Sequence, residues 1–215
     1  MPHLVPLLIR GINNLSDARY CAGMGADKLT FVLDPGLPEY LDTKTVKELA
    51  GWIAGVELIG EFDRLNAHEI NAIAAECGLD AVLLRSFRTY TQLAEIAPPV
   101  YMEISAEMVT PLPTSSEPIR GWTNSVNLEA SLPASVTGWV IELPTPISAE
   151  TGTILNAIGQ IRPLWLGPGL APTHAVELAQ RLPLAGLSFP AGDEVKPGLR
   201  DFDQLEAVFE ALETE

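Results

Sequence analysis

Short apolar runs and helix-patterned segments alternate along almost the whole chain, and this alternation most limits the folds open to it. Runs bounded by Gly, Pro or Asp read as strands over 4–10, 28–33, 53–59, 80–84, 99–104, 138–143, 163–167 and 185–189. Between them, apolar residues recur at helical spacing over 15–24, 43–51, 66–77, 89–97, 150–160, 172–182 and 201–213. The first of these helices has a marked start, Asn14 followed three residues later by Asp17. Eight strands with helices between them predict an α/β fold, a compact (β/α)8 TIM barrel forming one domain over 1–215. A doubly wound open sheet is the alternative, weakened because no GxGxxG follows the first strand. The stretch 108–133 is rich in Pro, Ser and Thr, so an irregular excursion is expected near 105–137.

With 47% apolar residues in 215, the chain can bury a full core. No apolar run is long enough to cross a membrane, and the opening MPHLVPLLIRG has neither a basic leader nor a small-residue cleavage site. The expected location is cytoplasmic. A formal net charge of −15, from 28 acids and 13 bases, repels nucleic acid and anionic membranes. Cys21 and Cys77 belong to no CxxC or Cys/His cluster and read as buried free thiols. His3, His68 and His174 are scattered and give no metal-ligand spacing, so neither metal nor cofactor is implied.

In a barrel of this kind, ligands bind at the C-terminal ends of the strands. The charged residues read at those ends are Arg10, Asp34, Glu57, Glu61, Arg85, Glu103 and Glu142. Two accounts fit them. Arg10 and Arg85 either pair with the glutamates and plug the mouth, or act as clamps for a carboxylate or phosphate. Glycine-bearing turns follow the last two strands, WLGPGLAPTHA with Gly167 and Gly169, and LSFPAGDEVKPGLRD with Ala191 and Gly192. Loops in these places often bind phosphate through backbone N–H groups, although tight turns alone also account for such glycines.

Taken together, GINNLSDARYCAGMGADKLTFVLDPGLPEYL, PLWLGPGLAPTHAVELA and AGLSFPAGDEVKPGLRDFDQLEAVFEAL resemble the phosphoribosylanthranilate isomerase family of tryptophan biosynthesis. The resemblance spans roughly 8–60, 78–86 and 163–213, and implies the barrel fold and an Amadori isomerisation. It also implies departures at the positions that do chemistry. The family's Lys-Ile-Cys-Gly, which supplies a cysteine base, reads Leu8-Ile9-Arg10-Gly11 here, and a guanidinium has no lone pair to accept a proton. Its Ser-Pro-Arg-Tyr reads Leu37-Pro38-Glu39-Tyr40, and its Gln-Leu-His-Gly reads Leu83-Leu84-Arg85-Ser86. The Gly-Gly-Thr-Gly phosphate loop has no counterpart near Pro144-Thr145-Pro146. Pro168 and Pro190 each remove a backbone donor from the phosphate loops. The family's aspartate acid has its counterpart in Glu142.

Three readings follow. In the first, the barrel is a pseudoenzyme or repurposed scaffold that binds a small carboxylated or phosphorylated metabolite through Arg10, Arg85, Glu103 and the turns at Gly167, Gly169, Ala191 and Gly192. In the second, an isomerase remains, with Glu142 or Glu103 as acid/base and Arg10 stabilising developing charge. The third is an interaction protein, monomer or homodimer, in which Trp122 and Trp139 either anchor a partner or pack the barrel end.

Overall fold

A computed structural model describes residues 2–109, 132–143, 146–167, 169, 171–192, 194–196 and 199–214. Pro144, Thr145, Pro168, Trp122 and most of the 108–133 stretch lie outside the described residues.

Eight parallel strands close into a barrel in chain order. They are β1 (Leu7–Arg10), β2 (Lys28–Val32), β3 (Glu57–Phe62), β4 (Ala81–Leu84), β5 (Val100–Ile104), β6 (Val136–Glu142), β7 (Leu164–Gly167) and β8 (Gly186–Pro190). The helices are α1 (Leu15–Gly23), α2 (Thr43–Ala50), α3 (Ala67–Cys77), α4 (Tyr90–Ala94), the single turn α5 (Ala106–Val109), α6 (Ala149–Ile161), α7 (Pro172–Arg181) and α8 (Asp203–Leu212). A two-stranded hairpin, β9 (Glu194–Lys196) and β10 (Leu199–Arg200), precedes α8. The expected (β/α)8 fold is the observed one, closed by β1 against β8 with Arg10 opposite Pro190.

Local chemistry sets the element ends. Asn14 caps α1 by accepting the Asp17 N–H at 2.9 Å, as the sequence predicts. Asn66 with Glu69, and Thr89 with Gln92, form capping boxes on α3 and α4. α1 and α3 are each followed by Gly-x-Asp, and each aspartate staples two strands: Asp27 accepts the Leu7 N–H at 2.7 Å and Asp80 the Leu58 N–H at 2.8 Å.

Three expected elements change. The first strand, expected at 4–10, begins only at Leu7, after Pro6. The third strand, expected at 53–59, runs Glu57–Phe62, because Gly55 adopts φ 81° and places Trp52, Ile53 and Ala54 in the preceding turn. The fourth helix, expected at 89–97, stops at Ala94, ahead of Ala97, which Pro98 bars from helical backbone. His68 and His174 fall in the first turns of α3 and α7, as expected. Cys21 and Cys77 are free and buried. Burial raises both thiols, Cys21 to about 12, with Asp17 adding to the effect. Trp139 is fully buried in the main core, so it packs the barrel and anchors no partner.

The register sorts inward side chains into layers of four from alternate strands. Lys28, Ala81, Gly138 and Gly186 line the bottom. Leu8, Ile59, Tyr101 and Trp165 stand above them, then Thr30, Leu83, Val140 and Ser188. The apolar members of these layers form a core of their own, separate from the larger one between barrel and helices. At the floor, Lys28 pairs with Glu57 and lies over the Tyr101 and Trp165 rings, 5.7 and 5.4 Å from their centroids. The two upper layers are Arg10, Glu61, Glu103 and Gly167, then Val32, Arg85, Glu142 and Pro190, and they hold the charge.

Candidate functional site

Strand alternation delivers the charged groups to the mouth: two residues above Leu8 stands Arg10, two above Ile59 stands Glu61, and two above Tyr101 stands Glu103. Arg10 sits at their centre, 8% exposed. Its Nε and Nη2 donate to Glu61 Oε1 and Oε2 at 3.0 and 2.8 Å, a bidentate pair. Nη2 also donates to Glu103 Oε2, and Nη1 to Glu142 Oε1, both at 2.7 Å. Glu61 is wholly buried; it also accepts the Thr30 hydroxyl at 2.5 Å and Arg85 Nε at 2.7 Å, while Arg85 Nη2 lies 2.5 Å from it. Thr30 in turn accepts the Gly11 N–H at 3.0 Å, tying the network to the turn after β1.

The electrostatics follow from this wiring. Burial would raise the Glu61 carboxyl, but the charge and hydrogen bonds of Arg10, then Arg85 and Thr30, bring it down to about 2. Burial would lower the Arg10 guanidinium, yet Glu61, Glu103 and Glu142 hold it above its ordinary value, so it stays charged. Glu103 goes the other way: burial raises it, Arg10 only partly offsets this, and Glu61 and Glu142 raise it further. Two carboxyl groups of one layer are thus pushed apart in acidity.

Exposure is graded across the network. Glu103 is 28% exposed, Arg85 30% and Glu142 59%, so these three face the solvent while Arg10 and Glu61 form the floor beneath them. Gly167 makes this packing feasible. A Cβ there would stand 3.1 Å from Glu142 Cγ and 3.2 Å from the Ser188 carbonyl oxygen, so a side chain would displace Glu142 from Arg10.

The other sequence-read positions divide. Gly169 is exposed at φ 80°, and Gly192 adopts φ 94° where a Cβ would lie 2.5 Å from the Asp201 carbonyl oxygen, so backbone approach requires both the glycine and its conformation. Ala191 is buried and its N–H donates to the Arg10 carbonyl at 2.9 Å, which leaves it no backbone donor for a ligand. Glu57, read at the mouth, stands at the opposite end of the barrel with Lys28, because β3 starts there. Asp34 is buried and accepts N–H groups of Gly36, Asp63, Arg64 and Leu65, organising the loops after β2 and β3. These bonds hold its carboxyl below its ordinary value against the cost of burial.

Arg200 escaped the sequence reading. Its Nε stands 2.9 Å from Asp17 Oδ2, both side chains buried, while Nη1 donates to the Gly192 carbonyl at 2.7 Å and Nη2 to the Gly11 carbonyl at 3.0 Å. One guanidinium therefore joins the turn after β1, helix α1 and the loop after β8. Glu39, in left-handed backbone at φ 63°, lies 3.4 Å from Arg200 Nη2. The advance signal was an arginine in PGLRD just before an acidic helix start, Asp201 and Asp203.

Among the described residues no three His, Cys, Asp or Glu side chains could hold a metal ion, and no helix is long and apolar enough to cross a membrane. Chemically, the mouth offers a fixed cation that cannot accept a proton, one carboxyl eased toward protonation, and one arginine reaching solvent.

No family model matches the chain. It is similar along nearly its whole length to proteins named N-(5'-phosphoribosyl)anthranilate isomerase. The one from Trichormus variabilis is 27% identical over 210 residues, covering 95% of this chain and 96% of the relative. That from Gloeothece citriformis is 28% identical, covering 95% and 92%, and that from Chlorobium phaeobacteroides is 27% identical, covering 97% and 98%. Solved structures of phosphoribosylanthranilate isomerase from Thermus thermophilus and Thermotoga maritima superpose with TM-scores of 0.73 and 0.75, at 23% and 20% identity, each covering 97% of this chain and 98% of theirs. The resemblance to this family read from the sequence is thus supported in sequence and in fold.

Proposed function

We propose that this phosphoribosylanthranilate isomerase-like barrel does not run an Amadori isomerisation, and that its mouth binds a small carboxylated or phosphorylated metabolite through Arg85. One observation carries the reading: at the tip of β1, where the family resemblance calls for a proton-accepting thiol, stands a guanidinium held by Glu61, Glu103 and Glu142. Proton abstraction needs a group with an accepting lone pair within hydrogen-bond reach of the substrate, and the Arg10 guanidinium, which its three glutamates keep protonated, has none. Its contacts with the three glutamates make it a structural cation. Arg85 remains as the arm for an anion, because Glu61 engages its Nε and Nη2 and Nη1 has no partner among the described residues. Two measurements test this. The purified chain is expected to convert no phosphoribosylanthranilate and to leave a tryptophan auxotroph lacking the isomerase unable to grow. Calorimetric titration with carboxylated and phosphorylated metabolites is expected to give binding that Arg85→Ala abolishes. Turnover at an ordinary enzymatic rate, or growth of the auxotroph, overturns the reading.

A second reading, isomerisation with Glu103 as the acid/base, is favoured by the upward displacement of that carboxyl, which is partly exposed at the mouth and bonded to Arg10. It requires a rate that rises and falls with the ionisation of Glu103 and vanishes in Glu103→Gln.

A further inference from the structure

The groups that reach solvent at the mouth are of both signs. Among the described residues Arg85 keeps Nη1 without a partner, and Glu103 and Glu142 each give one oxygen to Arg10 while the other has no partner. Contacts of 2.5, 2.8 and 2.7 Å run from Arg85 Nη2 through Glu61 Oε2 and Arg10 Nη2 to Glu103 Oε2, so the bonded atoms of the Arg85 and Glu103 head groups are at most about 8 Å apart. A ligand whose ammonium and carboxylate are joined through one carbon, with a charge-assisted bond of about 2.8 Å at each end, spans a comparable distance. A purely anionic ligand fits less well, since it would face the outer oxygens of Glu103 and Glu142 in a network that already carries one excess negative charge (Glu61, Glu103 and Glu142 against Arg10 and Arg85). A purely cationic one would leave the exposed arginine unmatched.

A second observation points into the same place. The Ser188 hydroxyl, in the layer directly beneath, is buried and has no hydrogen-bond partner among the described residues. It faces the barrel interior opposite Leu8, beside Gly167, which adds no side chain between it and the mouth. A buried hydroxyl without a partner is costly, and a polar ligand atom or a water carried with it would satisfy this one.

We propose that the mouth binds a zwitterionic α-amino acid, with its carboxylate on Arg85 and its ammonium between Glu103 and Glu142. This deepens the binding function proposed above and rests on it. Arg10 and Glu61 then serve as the charged floor that positions the recognising groups. A zwitterion adds no net charge to the network, which is why this class suits a mouth already balanced to within one charge.

The test is a thermal-shift and calorimetric comparison on the full chain, using the twenty standard amino acids as probes. The best binder is then set against its deaminated carboxylic acid and its decarboxylated amine. Both single-headed analogues are expected to bind at least about tenfold more weakly than the amino acid. Glu142→Gln, at an exposed position that leaves the fold intact, is expected to weaken the amino acid about tenfold and the deaminated acid not at all. Arg85→Gln is expected to weaken both. A deaminated acid that binds as tightly as its parent overturns the zwitterion while leaving the anion-binding function standing. Absence of binding by every amino acid up to about 10 mM overturns the zwitterion as well. Failure of the non-isomerising reading shows separately, as turnover of phosphoribosylanthranilate.

Discussion

Arg10 on β1 and Glu61 on β3 meet through two parallel contacts, Nε to Oε1 at 3.0 Å and Nη2 to Oε2 at 2.8 Å, inside a closed barrel. Taking both charges out of water costs several kcal/mol each, and the geometry offsets this only because every oxygen of Glu61 has further donors. The pair is therefore interdependent. Glu61→Gln leaves Arg10 and Arg85 facing an amide, and is expected to destabilise the chain by about 3–5 kcal/mol. A double variant, Arg10→Met with Glu61→Leu, removes both buried charges and is expected to cost less than Glu61→Gln alone. Urea unfolding of Arg10→Met, Glu61→Leu and the double variant beside the native chain and Glu61→Gln measures this, and a double cost equal to the sum of its two singles would show that the pair is uncoupled.

The same pair fixes the acid limb of stability. The Glu61 carboxyl lies at about 2 in the folded chain against an ordinary value of 4.5, so the unfolded chain binds its proton first. Its contribution is complete above about pH 4.5 and is lost as the pH falls from there toward 2. Glu103 has the opposite sign: its raised folded value contributes stability below the ordinary 4.5 that fades as the pH rises through the folded value. Melting temperature followed from pH 7 to pH 2 is expected to drop steeply below about 4.5 in the native chain and less steeply in Glu61→Gln. In Glu103→Gln the melting temperature above pH 4.5 is expected to rise relative to native.

Arg200 and Asp17 form a second buried pair, 2.9 Å apart, outside the mouth. Because the Arg200 guanidinium also holds the carbonyls of Gly192 and Gly11, truncation acts on three segments together. Arg200→Met is expected to cost about 3–5 kcal/mol by stranding the Asp17 carboxylate. Amide exchange is expected to quicken in the turn after β1 and the loop after β8, with β4 and β5 unaffected. Uniform quickening throughout the barrel would contradict a local latch.

The barrel was legible because its strands are short, apolar and regularly spaced, and the period of two along each then carried Arg10, Glu61, Glu103 and Glu142 to the mouth. Glu57 was misplaced because the apolar Trp52-Ile53-Ala54 imitates a strand, and only the left-handed backbone at Gly55 reveals the turn. Pairing was not legible at all. A sequence shows that Arg10 stands at a strand tip, but whether three carboxylates or a ligand surround it depends on strand stagger around a closed sheet. Asp34 and Arg200 were missed or misread for a related reason: their partners are mostly backbone groups, which leave no mark in composition.

Restoring a thiol at the tip of β1 is the sharpest test of what Arg10 does. Arg10→Cys would place a thiol in a layer built to surround a cation, beside Glu61 and Glu103 and below Glu142. Burial and three carboxylates all disfavour a thiolate, so the thiol is expected to titrate above its ordinary value near 8.5 and to abstract no proton at neutral pH. Glu61, left with Arg85 and Thr30 as its partners, is also expected to lower stability, with its carboxyl held less far below its ordinary value than at about 2. The variant should therefore show no isomerase turnover, slow alkylation by iodoacetamide at pH 7, and a lower melting temperature. Adding Glu61→Val removes this buried charge and is expected to recover part of the melting temperature without conferring turnover, because Glu103 and Glu142 still face the thiol. Rapid isomerisation by Arg10→Cys alone would mean that the surrounding glutamates tolerate a thiolate, and that the guanidinium was all that separated this mouth from catalysis.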